Sequence, residues 1–364
     1  MKLLLAGTAS PTGWPEPGCP CASCAGLPSG YRRPFELVVD GVARFPFDDE
    51  PPGYRTLADS HGLEGPDGTR LLYALPAATV TPNAATLSAA TATPDATAVP
   101  DVTATPEAAA SPAGPYDIVL IDPLDRPERI GLLRRAGLVA DGTQVVAVGL
   151  DHRVRSEEEL SRRLALWGVR AVPDGTTLDT TLAVPPASQA PAQPRRTLLL
   201  GGSRSGKSAE AELRLAADPY VTYVATGSRG EGDGEWAARV RAHRERRPAH
   251  WATVETTDLA GTIRAATTPL LVDGLGTWLA AVFDECGAWD GDRAPVAARC
   301  DELVAAWRGT TQRIVAVSDE VGMGVVPATA SGRAFRDELG RLNERLADES
   351  EYVALVIAGR PVRL

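Results

Sequence analysis

The sequence predicts an α/β protein in two parts, the second built on a mostly parallel sheet. From residue 196 to 364, short and fully apolar runs alternate with helical patterns, as they do when helices cover both faces of a parallel sheet. Similar runs stand at 2–6, 117–121 and 144–148, which read as strands of an earlier α/β unit. A Pro- and Ala-rich stretch, PPASQAPAQP at 185–194, lies between them and has the composition of a spacer. A length of 364 residues suits two domains at roughly 100 to 200 residues each. The expected division is 1–184, a linker at 185–195, and 196–364.

In chain order, KLLLA at 2–6 opens the first part. At 79–115 comes an Ala/Thr/Pro/Ser segment with almost no large apolar residue, expected to be a disordered insertion because it buries too little to offset the entropy of ordering. The strands at 117–121 and 144–148 follow it. In the second part the strands are TLLL (197–200), YVTYVA (220–225), PLLVD (269–273), RIVAV (313–317) and YVALVI (352–357). Before the last of these, Phe335, Leu339, Leu342 and Leu346 recur at helical spacing and mark a core stripe.

Composition narrows the function. With 44% hydrophobic and 23% charged residues the chain has ordinary globular composition. Its 47 acidic against 37 basic residues, a net charge of -10, argue against a nonspecific grip on nucleic acid or an anionic membrane. No apolar run approaches the roughly 18 residues of a spanning helix, and no secretory signal is evident, so a cytoplasmic protein is expected. Five Cys, an odd and unevenly spread set, do not read as a disulfide framework and agree with a reducing compartment. Cys19, Cys21 and Cys24 (C-x-C-x-x-C) offer three thiolates to zinc, but no fourth ligand lies close by in the sequence, and free thiols are the alternative.

Only Lys2 and Lys207 among the 37 basic residues are lysine. Lys207 falls in Gly201-Gly202-Ser203-Arg204-Ser205-Gly206-Lys207-Ser208, a match to G-x-x-x-x-G-K-[ST] that leaves a strand and enters a helical AEAELRLAA pattern. In such a loop glycines let backbone N–H groups turn inward, the helix terminus adds partial positive charge, and the Lys reaches terminal phosphates. Ser208 is the expected Mg²⁺ ligand through its hydroxyl. Asp273, at the end of PLLVD, is placed to face that metal; the alternative is an Asp that starts a turn or caps the helix after it.

His243 and His250 lie in GEWAARVRAHRERRPAHW. Trp236, Val240 and His243 share one face of an expected helix, and Arg239, Arg241, Arg244, Arg246 and Arg247 form a basic strip. A buried core histidine and a solvated Arg face are the bland readings. Beside a phosphate loop, His243 is a candidate nucleophile toward a nucleotide α-phosphorus, with Arg spreading the charge of departing pyrophosphate.

GGSRSGKS, YVATG, RVRAHRERRPAHW, LVDGLGTWL, SDEVGMGVVP and FRDELGRLNERLA, in that order, resemble the bifunctional adenosylcobinamide kinase/adenosylcobinamide-phosphate guanylyltransferases of cobalamin biosynthesis over nearly all of 196–364. The resemblance implies a RecA-like P-loop domain, a homo-oligomer that is often a trimer, and a corrinoid substrate, adenosylcobinamide and then its phosphate. It implies ATP or GTP as phosphoryl donor, GTP as guanylyl donor, Mg²⁺, and a covalent GMP-histidine at His243; His250 is the second choice of nucleophile, with packing as its bland reading. It further implies nucleotide contacts from Gly201 to Ser208, from Ala225, Thr226 and Gly227, and from Arg244, Glu245, Arg246 and Arg247. Glu255 and Asp273 would hold guanine, ribose or metal. A kinase-only enzyme and a nucleotide-dependent interaction module remain the alternatives.

The opening KLLLAGTASPTGWPEPGCPCASC resembles, more briefly, the start of metallo-β-lactamase-fold phosphodiesterases. Only His61 and His152 stand in this part, too few for the H-x-H-x-D-H metal cluster of such hydrolases. A degenerate, noncatalytic domain of truncated metallo-β-lactamase fold is therefore the expectation.

Overall fold

The structure is a computed structural model that describes residues 1–45, 50–57, 62–74, 114–180, 193–226 and 247–364. It divides into two compact units, the second taking up the chain at Gln193. Most of the 79–115 segment and of the 185–194 stretch lies outside the described residues, as do His61, Gly227 and His243 to Arg246.

In the first unit the elements are β1 (Lys2–Gly7), α1 (Ala22–Ala25), β2 (Glu36–Val39), β3 (Ala43–Arg44), β4 (Arg55–Leu57), β5 (Gly62–Glu64), β6 (Arg70–Ala74), β7 (Ile118–Ile121), α2 (Glu128–Arg135), β8 (Gln144–Ala147), α3 (Glu157–Trp167) and β9 (Thr176–Asp179). They make two sheets, a four-stranded antiparallel one in the order β3-β2-β1-β9 and a five-stranded one in the order β4-β5-β6-β7-β8. In the second, β6, β7 and β8 run parallel while β4 and β5 are antiparallel. The three strands read from sequence are present, but β1 belongs to a different sheet from β7 and β8. What joins the sheets is burial: Leu3, Leu5, Leu37 and Val39 of one share a core with Leu71, Tyr73, Ile118, Leu120 and Val146 of the other. Helix α3 has a local start and stop. Ser156 caps it by accepting from the Glu159 N–H, Leu160, Leu164 and Trp167 form its buried stripe, and Gly168 ends it in the left-handed region.

The second unit contains β10 (Arg196–Gly201), α4 (Lys207–Leu215), β11 (Thr222–Ala225), β12 (Ala252–Glu255), α5 (Leu259–Ala265), β13 (Leu270–Asp273), α6 (Leu275–Cys286), α7 (Ala294–Gly309), β14 (Ile314–Asp319), α8 (Ala330–Asp348), β15 (Tyr352–Ile357) and β16 (Arg360–Arg363). One seven-stranded sheet runs β12-β11-β13-β14-β10-β15-β16, parallel throughout except for the last hairpin. Successive side chains of a strand face opposite sides, and the cores divide accordingly. Leu198, Leu200, Val224, Leu270, Val272, Ile314 and Ala316 meet Trp278, Phe283, Trp307 and Leu339 on one face. Leu199, Tyr223, Leu271, Val315 and Val317 meet Ala211 and Leu215 of α4 on the other. The predicted stripe of α8 is buried at Leu339, Leu342 and Leu346, and Phe335 packs on its margin. β16, which the sequence reading missed, folds back through Ala358 and Gly359, both at positive φ. No helix among the described residues is long and apolar enough to cross a membrane.

Candidate nucleotide site

The parallel strands of the second unit all end at one edge of the sheet, where the crevice of such a fold gathers its ligands. Gly201 ends β10, Ala225 β11, Glu255 β12, Asp273 β13 and Asp319 β14. Register sets them in two rows: Gly201 pairs with Asp319, while Ala225 pairs with both Glu255 and Asp273, and Asp273 pairs with Val317, two residues short of Asp319.

The loop from Gly201 to Ser208 leaves β10 and enters α4, with Gly202, Ser203 and Arg204 exposed at its crest. Two glycines are required by position. A Cβ on Gly201 would stand 2.6 Å from Ser205 Oγ and 2.8 Å from the Val356 carbonyl oxygen. Gly206 has φ of +95°, and a Cβ there would meet Gly359 Cα at 2.9 Å. The β15–β16 turn is thus the wall behind the loop, and the Gly359 N–H fastens it by donating to the Ser205 carbonyl at 2.7 Å.

Lys207 and Ser208 begin α4 and reach opposite neighbours. Lys207 Nζ lies 2.8 Å from Asp319 Oδ1 and donates to the Gly202 carbonyl at 3.1 Å. Ser208 Oγ donates to Asp273 Oδ1 at 3.0 Å, and the Tyr223 hydroxyl donates to Asp273 Oδ2 at 2.5 Å. Asp273 is therefore a site carboxylate; the helix behind it is capped by Gly274 with no side-chain hydrogen bond. Burial, with Asp273 adding to it, pushes the Tyr223 phenol far above its ordinary range, so it remains a neutral donor. The Arg247 guanidinium stacks over the Tyr223 ring at 3.5 Å from its centroid. A line of contacts thus runs from Arg247 through Tyr223 and Asp273 to Ser208.

Thr226 follows Ala225 and donates to the Gly274 carbonyl at 2.7 Å, beside Thr277. Glu255 is exposed at the edge strand. With β11 between them, the backbones of Glu255 and Asp273 stand about 10 Å apart, two strand spacings. His250 is half-buried in the turn before β12. Of the residues singled out in sequence, the structure gathers Gly201 to Ser208, Ala225, Thr226, Arg247 and Asp273 around the loop and leaves Glu255 at the margin. Gly227, His243, Arg244, Glu245 and Arg246 fall outside the described residues. Asp319 and Tyr223 were not foreseen. Asp319 ends the strand next to β10, the position a carboxylate needs to face the loop, but the reading stopped that strand at residue 317. Ser318 and Asn343 buttress it: Ser318 Oγ donates to Asn343 Oδ1 at 2.6 Å, and Asn343 Nδ2 donates to the Asp319 carbonyl at 3.1 Å.

A glycine-rich loop joining a buried parallel strand to a helix headed by Lys and Ser, with carboxylates on two neighbouring strands, defines a P-loop nucleotide-binding enzyme. The family model described as cobinamide kinase / cobinamide phosphate guanyltransferase matches residues 197–364. The bifunctional adenosylcobalamin biosynthesis protein CobP of Pseudomonas aeruginosa is 42% identical over 177 residues, which is 46% of this chain and 96% of that protein. The bifunctional adenosylcobalamin biosynthesis proteins CobU of Escherichia coli and Salmonella typhimurium are 37% and 36% identical over 179 residues, each match covering 46% of this chain and 98% of the relative. The chain belongs to the cobinamide kinase/cobinamide phosphate guanyltransferase family, and the match lies in its second unit. The family match begins at Thr197 and leaves the first unit outside it.

Proposed function

We propose that the second unit phosphorylates the hydroxyl of the aminopropanol arm of adenosylcobinamide with ATP or GTP. It then transfers GMP from GTP to that phosphate, with His243 as the intermediate acceptor. In the guanylyl half, a neutral imidazole nitrogen of His243 bonds to the α-phosphorus as the bond to pyrophosphate breaks. An oxygen of the substrate phosphate then displaces the imidazole and yields adenosylcobinamide-GDP. A phosphoramidate is a high-energy bond, so splitting the transfer in two loses little driving force.

The observation that carries this reading is the line from Arg247 to Ser208. Arg247, four residues after His243 in the sequence, is seated on Tyr223 beside the phosphate loop. Arg244, Glu245, Arg246 and Arg247 then have the phosphates or base of the nucleotide as partners. The loop N–H groups and Lys207 take the terminal phosphates, and Ala225, Thr226 and Gly227 line the approach. Glu255, exposed at the end of the edge strand, takes ribose or guanine.

The Ser208 hydroxyl and the Asp273 carboxylate, 3.0 Å apart, are hard oxygen donors of the kind that suits Mg²⁺, which in such a site neutralises phosphate charge. Met323, Val325 and Val326, exposed in the loop beyond Asp319, offer apolar footing to a corrinoid.

The degenerate metallo-β-lactamase-like reading of 1–184 rests on its opening residues alone, and the division we assign is 185–195 as linker and 196–364 as the P-loop domain. The assembly we assign is a cytoplasmic homo-oligomer, a trimer by resemblance.

Incubation with α-³²P-GTP and Mg²⁺ but no corrinoid tests the mechanism. An acid-labile, base-stable protein label in the wild type that is absent from His243→Ala is the expected result. GTP binding with no label in either protein would overturn the guanylylated histidine, and the kinase would then be assayed alone with adenosylcobinamide.

A further inference from the structure

The three cysteines of the first unit lacked a fourth ligand in sequence, and the fold supplies one. One donor atom from each of Cys19, Cys21, Cys24 and His152 lies within 4.8 Å of all the others. Cys24 Sγ and His152 Nδ1 are 3.4 Å apart although 128 residues separate them in sequence. We propose that these four residues form a structural zinc site.

The geometry favours a shared ion over a thiol pair. Ligands at about 2.3 Å for sulfur and 2.0 Å for nitrogen around a tetrahedral centre stand roughly 3.5 to 3.8 Å from one another. The observed cluster needs only a small contraction to reach that, whereas a disulfide needs two sulfurs at about 2.05 Å and leaves the third thiol and the imidazole without a role. Three soft thiolates and an imidazole suit zinc and do not suit Mg²⁺ or Ca²⁺. Binding releases one proton from each thiol, and four protein ligands leave no open position, which makes the site a cross-link rather than a catalyst.

Both sides of the cluster are held in place independently. On the cysteine side, Cys21 caps α1 by accepting from the Cys24 N–H, and the Trp14 indole donates to Ser23 Oγ, which donates to the Val154 carbonyl at 2.7 Å. On the histidine side, Arg153 binds Asp151, the buried Asp122 carboxylate and the Gly149 carbonyl, fixing the turn that presents His152. Cys24 is buried and the other three residues are partly so. Glu16 Oε2 lies 3.3 Å from His152 Nδ1 and would yield that nitrogen to the metal. Zinc here ties the loop after β1 to the loop after β8, closing a long stretch of chain that contains the 79–115 segment.

The test uses the full chain purified without chelator. Elemental analysis is expected to give about one zinc per chain that survives gel filtration. Replacement by Co²⁺ should give the thiolate charge-transfer absorption and intense visible bands of a tetrahedral site. His152→Ala should lose zinc to a competing chelator at least about tenfold faster, whereas His152→Cys, which restores four ligands, should retain it. The rescue by Cys separates loss of a ligand from misfolding, and Cys286→Ser controls for nonspecific thiol binding. A wild-type protein without bound zinc whose three thiols react at the same rate with and without added zinc would overturn the proposal. So would an octahedral cobalt spectrum, or equal zinc retention in His152→Ala.

Discussion

Lys207 Nζ and Asp319 Oδ1, 2.8 Å apart, pair the cation of the phosphate loop with a carboxylate on the neighbouring strand. A phosphate that recruits this ammonium competes with Asp319. Replacing Asp319 by Asn removes a charge-assisted hydrogen bond worth about 1.5 to 3 kcal/mol. Nucleotide binding in the absence of Mg²⁺ is therefore expected to tighten by about tenfold or more. Titration of a fluorescent GTP analogue in EDTA checks this; unchanged or weaker binding by Asp319→Asn would refute the competition.

Gly206 is constrained twice over, by its own backbone conformation and by a neighbour. Its φ of +95° and the 2.9 Å approach of Gly359 Cα to a hypothetical Cβ leave no room for alanine. Strain of about 1 to 3 kcal/mol, added to displacement of the β15–β16 turn, predicts a ten- to hundredfold loss of GTP affinity in Gly206→Ala. Isothermal titration measures it. Gly202→Ala, where nothing lies within 4 Å, is the control and should bind more nearly as the wild type does.

Tyr223 should give the second unit an alkaline signature. Burial first, and Asp273 second, raise its folded-state pKa well above the ordinary value of 10.0. A neutral donor retained in the fold and lost on unfolding contributes stability that is fully present below pH 10 and declines as pH rises toward the folded pKa. Tyr223→Phe removes the hydroxyl that satisfies Asp273 Oδ2, predicting about 1 to 2 kcal/mol of destabilisation at neutral pH and a higher Mg²⁺ requirement for nucleotide binding. Urea unfolding of both proteins at pH 8 and pH 11 decides the matter: a mutant more sensitive to alkali than the wild type would contradict it.

The second unit was legible because its strands are buried on both faces and read as continuous apolar runs, and because Gly206, Lys207 and Ser208 sit in a motif whose spacing is itself the mechanism. Asp273 was legible as the polar end of such a run. Asp319 was not, since Ser318 before it breaks the apolar pattern and is tolerated in the core only through its bond to Asn343, a partner far along the chain. The first unit was less legible still. Its strands β3, β4 and β5 are two or three residues long, too short for a period to register, and β1 parts from β7 and β8 for reasons of sheet pairing. The fourth member of the cysteine cluster was hidden in the same way, because His152 lies 128 residues from Cys24 in sequence and only the fold brings them together.

Glu159 offers an acid-side test confined to the first unit. It sits in the first turn of α3, its side chain 11% exposed, with Arg162 Nε at 2.8 Å and Arg163 Nε at 2.7 Å. Burial alone would raise its carboxyl, but the two guanidinium groups outweigh that and bring it down to about 2 from 4.5. A carboxyl depressed in the fold contributes stability that is present above the unfolded pKa and is lost as pH falls through the folded one, here between pH 4.5 and about 2. Solvent screening of the partly exposed arginines reduces the contribution to about 1 to 2 kcal/mol. Glu159→Gln is accordingly expected to be less stable than the wild type by that amount at pH 7 and equal to it near pH 2. Hydrogen exchange of the α3 amides across this range reads the difference locally. A gap between the two proteins that persisted undiminished at pH 2 would show that the glutamate acts through packing or capping, because only its charge is removed by the acid.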